Sequence, residues 1–342
     1  MTAVLGEDAA DRKAQTWERQ LARFDRLEFA ISDAASGIAK AVSQLARARL
    51  DDPGAQALVH GLDVFHTAME ARRVLALRWQ STQAAWEKAE AADLEVARLK
   101  RQGIDARGAA RAAWHAWGRA IARFERAERC EAAWRRAHAA LDLFVAEGRL
   151  NDRGHARAEI AEALKDLNGE GWSKVRNFLN DPRSLSFLDR MHRRLEQVEP
   201  DAERRGAMAW RWWLSHRRVP CAGPLIRLIR AVGRDRELTG PEAESYDRVS
   251  AVISDTFRAS SAVECMNSVL RMQQSRHRRM TQPMLDLKRL YWNCHRFRGG
   301  PRDKACPYEV LGLVLPSFDF WTLLRADPGD LTQRLSTARN AE

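Results

Sequence analysis

The stretch between Pro53 and Pro182 contains no proline, and this constrains the fold more than any other feature of the sequence. Proline breaks helix interiors, so its absence over such a length permits very long helices. The stretch is rich in Ala, Arg and Glu, and its apolar residues recur at spacings of three and four, the period of amphipathic helices. We predict a helical hairpin interrupted near Gly103 to Gly108, within an all-helical region over residues 66–240.

Several tryptophans mark the same region, Trp114 and Trp117 among them. A spacing of three residues places both indoles on one helix face. Large aromatic side chains in such positions generally belong to the core. We therefore expect Trp114 and Trp117 to be buried.

The residues before the helical region have a different pattern. Asp11 to Phe24 predicts an amphipathic helix, and Leu27 to Ser32 alternates apolar with small or polar residues, as a short strand does. A helix start follows Asp33, and a second strand is predicted over Leu58 to Phe65, after a Pro-Gly turn. Residues 1–65 are thus expected to form a partial α/β core in the order helix, strand, helix, strand.

The pattern is helical again over residues 241–315. One helix is predicted from Tyr246 to Phe257, and another begins at Gln282, where Pro283 occupies the first turn, and ends near Phe297. Residues 316–342 are expected to be a peripheral tail. The predicted fold class is mainly α with a partial α/β core, and the helical block over residues 66–240 has the position of an insertion in that core.

The formal net charge is +11, and much of the excess lies in one segment from Arg271 to Arg302. This segment has nine Lys or Arg residues against the single acid Asp286, with Tyr291, Trp292 and Phe297 between them. Dense positive charge with interleaved aromatic residues favours a segment that binds nucleic acid over a helix face that is merely solvated.

Other features narrow the class of protein. No apolar run reaches the roughly 20 residues that span a bilayer, and the polar N-terminus has no signal-peptide centre, so the sequence predicts a cytoplasmic protein without a membrane partner. The five cysteines are scattered and never form a CxxC pair. We interpret Cys294 and Cys306 as buried thiols rather than zinc ligands, although His295 is nearby in sequence.

Two carboxylates stand where chemistry is plausible. Asp33 follows a predicted strand, which is where open α/β sheets bind ligands, although an aspartate there is also a common helix cap. Glu264 lies in a predicted first helical turn, and Asn267 and Arg271 lie further along the same face. The alternative for Glu264 is an exposed acid that the helix dipole favours.

The surroundings of these carboxylates resemble a known family. The string Ser260-Ser-Ala-Val-Glu-Cys-Met-Asn-Ser-Val-Leu-Arg271, a later Asn-Cys-His-Arg-Phe-Arg and then Cys-Pro-Tyr-Glu-Val-Leu-Gly resemble the end of many bacterial insertion-sequence transposases of the DDE type. Upstream, the segment around Asp33 resembles the strand and helix that bear the second acid. Leu62-Asp63-Val-Phe-His66 is similar to the Asp/Cys-x-x-His signature of Mutator-like and hAT-like elements.

The resemblance implies an RNase H-like core that is interrupted by an all-helical insertion between the second and third acids. It implies that Asp33 and Glu264 are catalytic carboxylates that hold Mg²⁺ for DNA strand cleavage and transfer. The near-site residues would be Asp63, His66 and Asn267. DNA, both element ends and target, is the implied partner, and a homodimer is a further possibility. The residues implied to contact DNA phosphates are Arg271, Arg276, Arg278, Arg279, Lys288, Arg289, Arg296 and Arg298.

The sequence also departs from the family pattern. The first acid should lie on a strand well upstream of the helix that contains Trp17, and only sixteen residues precede Trp17. We therefore expect a chain that is N-terminally truncated relative to the family, without strand cleavage of its own. Two alternatives stay open, namely a catalytically dead remnant that binds DNA through its basic helix, and an unrelated helical scaffold for RNA or protein.

Overall fold

The protein is described by a computed structural model, which covers residues 13–22, 24, 27–32, 36–50, 57–216, 238, 240–258, 281–296, 304–310, 313, 315–331 and 333. Its contacts divide the chain into two compact units, residues 21–260 and residues 1–20 together with 261–342. The fold is mainly α, as the sequence predicts. Among the described helices, none has the length and apolar character needed to cross a membrane.

The elements follow one another in the predicted order. Helices α1 to α12 span Ala14–Leu21, Ser36–Leu50, Val64–Arg101, Arg107–Ala140, Arg153–Ala163, Ser173–Asn180, Ser186–Val198, Ala202–His216, Pro241–Ser254, Gln282–Cys294, Pro307–Val310 and Phe320–Arg325, and strands β1 and β2 span Phe29–Ser32 and Val59–Leu62. A 3-10 turn over Pro182–Leu185 precedes α7.

Strands β1 and β2 pair in parallel, with Phe29 opposite Val59 and Ser32 opposite Leu62. Parallel neighbours need a crossover, which α2 supplies. Within the described residues, these two strands make up the sheet. The predicted second strand extended to Phe65, but β2 ends at Leu62, because the Asp63 side chain caps α3 and the helix takes over at Val64.

The predicted hairpin is formed by α3 and α4, which are interrupted at residues 102–106 as expected. The main core packs the first part of α3 and the last part of α4 against α5, α6, α7 and α9. Trp172 is completely buried in this core. It follows Gly171, whose φ of +88° is a conformation that glycine adopts without strain and that brings its backbone close to Val74 of α3.

The expectation for the tryptophans is wrong at one position. Trp117 is partly buried, but Trp114 is 76% exposed. The two positions lie about 60° apart around the axis of α4. The contact with α3 at this end of the hairpin involves mainly alanines, and Trp117, not Trp114, packs against them.

In the second unit, α10 begins at Gln282 as predicted and ends at Cys294, three residues before Phe297. Residues beyond 315 include α12, whose Leu323 is buried. The Phe320 ring of α12 meets Tyr291 of α10 edge to face, at 5.4 Å between centroids. Part of the expected peripheral tail therefore packs on α10.

Candidate functional site

The carboxyl ends of β1 and β2 meet at one edge of the sheet. The backbone N–H of Asp63, directly after β2, donates to the carbonyl oxygen of Ser32, the last residue of β1, over 2.9 Å. Ligands bind preferentially at such an edge in α/β folds. Asp33 follows Ser32 in the sequence and lies outside the described residues.

Asp63 is buried, with 2% of its surface exposed, and it forms the N-cap of α3. Its Oδ1 accepts the Phe65 N–H over 2.8 Å. Its Oδ2 lies 3.7 Å from Nε2 of His66, whose side chain is 43% exposed. The two residues of the Asp-x-x-His signature therefore lie together at the start of α3. A carboxylate here satisfies orphan N–H groups and suits the positive end of the helix dipole.

Arg258 is brought to the same edge by the tertiary fold. The Val64 N–H donates to the carbonyl oxygen of Arg258 over 3.1 Å. The Arg258 guanidinium donates to the carbonyl oxygen of Leu141 over 2.7 Å and pairs with Oδ1 of Asp142 over 2.6 Å. The chain after α9 is thus fastened between the start of α3 and the end of α4, and Glu264 follows six residues later in the sequence.

Sequence reasoning did not single out Arg258 or Asp142. Arg258 lies two residues before the string Ser260–Arg271 that contains Glu264, so its neighbourhood was marked. Its partner lies 116 residues upstream, and no spacing rule connects them. The pair also affects His138, since burial lowers the pKa of this imidazole, Arg258 lowers it further and Asp142 opposes the shift.

A second polar group, around His60, was also missed. His60 Nε2 lies 2.8 Å from the Ser32 hydroxyl, and Nδ1 lies 3.1 Å from a guanidinium nitrogen of Arg183. Arg183 in turn forms a forked pair with Asp181, whose shortest contact is 2.6 Å. Burial, with Arg183 as a second cause, lowers the pKa of His60 to about 4.

The tautomer of His60 decides what this group can do. A guanidinium only donates, so Nδ1 must accept, and Nε2 must carry the hydrogen that it donates to Ser32. An imidazole in this state has no lone pair directed at the serine and cannot take its proton. The Ser32, His60 and Asp181 arrangement is therefore a structural brace between β1, β2 and the turn before α7, rather than a hydrolase triad.

The described part of the basic C-terminal segment has internal partners. Arg289 pairs with Asp286 over 3.1 Å. Arg296 forms a forked pair with Glu309, at 2.8 and 3.0 Å, and Glu309 also accepts the Cys306 N–H over 2.7 Å. Arg296 thereby joins the end of α10 to α11, while its side chain stays 56% exposed. Lys288 is half-buried on α10.

The described cysteines of this unit, Cys294 and Cys306, are buried free thiols, as the sequence indicates. Burial raises the pKa of Cys294 to about 11, with Cys306 and Asp319 as further causes. A thiol with so high a pKa is protonated at neutral pH in the metal-free protein. Over the described ranges, no three His, Cys, Asp or Glu side chains are grouped as a metal site requires.

Most of the predicted site lies outside the described residues. This applies to both catalytic candidates, to one near-site residue and to five of the eight implied DNA contacts, namely Asp33, Glu264, Asn267, Arg271, Arg276, Arg278, Arg279 and Arg298. Comparison of the chain with protein-family models, with curated proteins and with solved structures finds no match.

Proposed function

We propose that this protein is a DNA-binding protein of the DDE-transposase type, in which Asp33 and Glu264 belong to a carboxylate site for Mg²⁺. The observation that best supports the proposal is the hydrogen bond between Val64 N–H and the carbonyl oxygen of Arg258. Arg258, which precedes Glu264 by six residues in the sequence, thereby lies at the sheet edge that Asp33 follows in the sequence.

The order of elements supports the same proposal. A parallel β1–α2–β2 unit is followed, within the described residues, by helices without further strands through α8, and then by α9 and the segment that leads to Glu264. We propose that β1, α2, β2 and α9 belong to an RNase H-like core and that α3 to α8 are its insertion. In this arrangement Asp63 and His66 mark the junction between core and insertion.

The donor chemistry suits magnesium. Asp33 and Glu264 offer the hard carboxylate oxygens that Mg²⁺ prefers, and both would hold the ion. When bound, a pair of such ions activates a water or a 3′-hydroxyl and stabilises in-line displacement at phosphorus. Asp63 is occupied as a helix cap, so its role is to fix the start of α3 beside the site.

DNA binding is proposed for the basic segment from Arg271 to Arg302. The forked Arg296–Glu309 pair holds the end of this segment in place, so that its other cations can meet phosphates. A DNA-binding protein that does not cut is the second candidate function. It is favoured because a DDE-type site needs three carboxylates, the proposal names only Asp33 and Glu264, and Asp63 at the same sheet edge is engaged by its own helix.

The test uses the full chain with a labelled DNA duplex, with and without Mg²⁺. We expect binding without metal that weakens steeply between about 50 and 200 mM salt. Nicking that requires Mg²⁺ and is lost in Glu264→Gln and Asp33→Asn, but not in the exposed control Glu147→Gln, would establish the transposase-type site. Binding without nicking would establish the second candidate, and absence of duplex binding would refute both.

A further inference from the structure

The distal half of the α3–α4 hairpin is a narrow, well-fastened arm. Its small core consists of Ala85 and Ala89 of α3 and Ala116 and Ala120 of α4. On one side, Trp117 meets Trp86 edge to face at 5.1 Å and donates its indole N–H to Asp93 over 2.6 Å. This packing fixes the orientation of α4 and so determines which of its residues face away from α3.

The outward face of α4 carries a basic stripe, which we define as Arg111, Trp114, His115 and Arg119. These residues follow one another at helical spacings of three, one and four, so they share a face. All four are exposed, Trp114 to 76%. Between Asp105 and Glu125 the chain has no acidic residue, so α4 itself places no negative charge beside the stripe.

The cations of the stripe differ from those nearer the core. Over the described residues, neither Arg111 nor Arg119 has an ion-pair partner. By contrast, Arg129 and Arg135, further along the same helix, lie 3.9 Å from Glu125 and Glu131, each at a spacing of four. Within the described residues, the charges of Arg111 and Arg119 are thus left for an external anion.

A glycine within the basic stripe also indicates what kind of partner it can bind. Gly118 lies within it and has no atom within 4 Å of the position a Cβ would take, so a ligand backbone can approach closely. Glycine inside a helix is destabilising relative to alanine, and no packing contact among the described residues offsets that effect here.

We propose that the basic stripe of α4 binds single-stranded nucleic acid. Arg111 and Arg119, about 12 Å apart along the helix, contact successive stretches of the phosphate backbone. Trp114 lies between them and stacks on an unpaired base, as exposed aromatic residues do on single strands. This surface extends the proposed function by adding a second DNA contact, separate from the segment over residues 271–302.

The experiment measures the affinity of the full chain for a labelled oligothymidylate by fluorescence anisotropy. Arg111→Ala with Arg119→Ala is expected to weaken binding about tenfold and to reduce the salt dependence by roughly 0.7 for each phosphate that the variant no longer neutralises. Trp114→Ala is expected to weaken binding by a factor of about ten, with most of the affinity kept in Trp114→Phe. The control Arg129→Ala with Arg135→Ala removes two charges from the same helix and should change affinity less than about twofold.

The outcomes separate this inference from the proposed function. Equal affinities of the stripe variants and wild type for oligothymidylate would overturn the inference, whatever the duplex result. A fall in affinity of the same size in the Arg129→Ala with Arg135→Ala control would also overturn it, because the loss would then follow from removing any two positive charges from α4. If wild type binds oligothymidylate but not duplex, and the stripe variants bind oligothymidylate about tenfold more weakly, the inference stands and the proposed function fails.

Discussion

The backbone N–H of Val64 donates to the carbonyl oxygen of Arg258 over 3.1 Å, although the two residues are 194 positions apart in the sequence. This bond joins the residue after Asp63 to the chain that leads toward Glu264. The Arg258 side chain reinforces it by reaching the end of α4. One arginine therefore contacts both the start of α3 and the end of α4 at the sheet edge, and its contacts generate the first prediction.

Replacing Arg258 by alanine should lower the free energy of unfolding by about 1–3 kcal/mol, since it leaves the Leu141 carbonyl and the Asp142 carboxylate without this donor. Urea denaturation followed by circular dichroism measures the change. Asp142→Asn removes the charge but keeps the shape, so it should cost less. Equal stability of wild type and Arg258→Ala would show that the segment is not held by this side chain.

Asp63→Ala should destabilise the protein by about 1–2 kcal/mol, because the N-cap of α3 loses the acceptor for the Phe65 N–H. Asp63→Asn should recover most of the loss, since asparagine caps helices nearly as well. The comparison uses thermal unfolding at a fixed pH. A deficit in Asp63→Asn as large as in Asp63→Ala would instead indicate that the negative charge, and not the cap, is needed.

Stability should fall as the pH is lowered from about 6.5 to about 4, through protonation of His60. Its pKa is about 4 in the folded chain, below its ordinary value of 6.5. In that window the unfolded chain binds the proton and the folded chain does not, so acid favours unfolding. We expect a loss of about 1–2 kcal/mol, because the ring is only partly buried.

The measurement for His60 is the pH dependence of urea unfolding in wild type and in His60→Gln. Glutamine can still donate to Ser32 but does not titrate, so the variant should lose less stability on acidification. The carboxylates titrate equally in both proteins and cancel in the difference. Parallel curves for the two proteins would contradict the assignment of His60 as the neutral brace.

Arg278→Ala with Arg279→Ala should weaken duplex DNA binding across all sequences and reduce its salt dependence by about 0.9 for each phosphate contact. Both residues belong to the part of the basic segment that lies outside the described residues. Electrophoretic mobility shifts over a series of salt concentrations give the slope. Unchanged affinity and slope would remove this segment from the proposed DNA interface.

Arg296→Ala is expected to act differently, because Arg296 is already paired with Glu309. It should lower the thermal stability of the C-terminal unit as well as DNA affinity, whereas Arg278→Ala with Arg279→Ala should leave stability unchanged. Glu309→Gln serves as the matched change on the partner. A different outcome would show that Arg296 contacts DNA directly. In that outcome, Arg296→Ala lowers DNA affinity without changing the melting temperature, and Glu309→Gln changes neither DNA affinity nor melting temperature.

Local patterns were sufficient for much of the fold. The α2 crossover, the two short strands and the break near Gly103 all follow from periodicity and from turn residues, which act over a few positions. The start of α3 was placed two residues late, because the sequence around Asp63 does not reveal whether its side chain caps a helix or ends a strand. The burial expected for Trp114 was wrong, because helical spacing shows which face a residue lies on but not how much of that face the neighbouring helix covers.

The amino-acid sequence alone determined that the chain is mainly helical, that positive charge gathers in residues 271–302, and that Asp33 and Glu264 have family-like surroundings. Only the tertiary structure decided that Arg258 meets Val64, that His60 is held neutral by burial and by Arg183, and that the stripe around Trp114 is left uncovered. The physical reason is the sequence distance over which each property is set. Helix propensity and charge density depend on residues that are neighbours in the chain. The contacts depend on how elements far apart in the sequence pack together, and no local pattern predicts that packing.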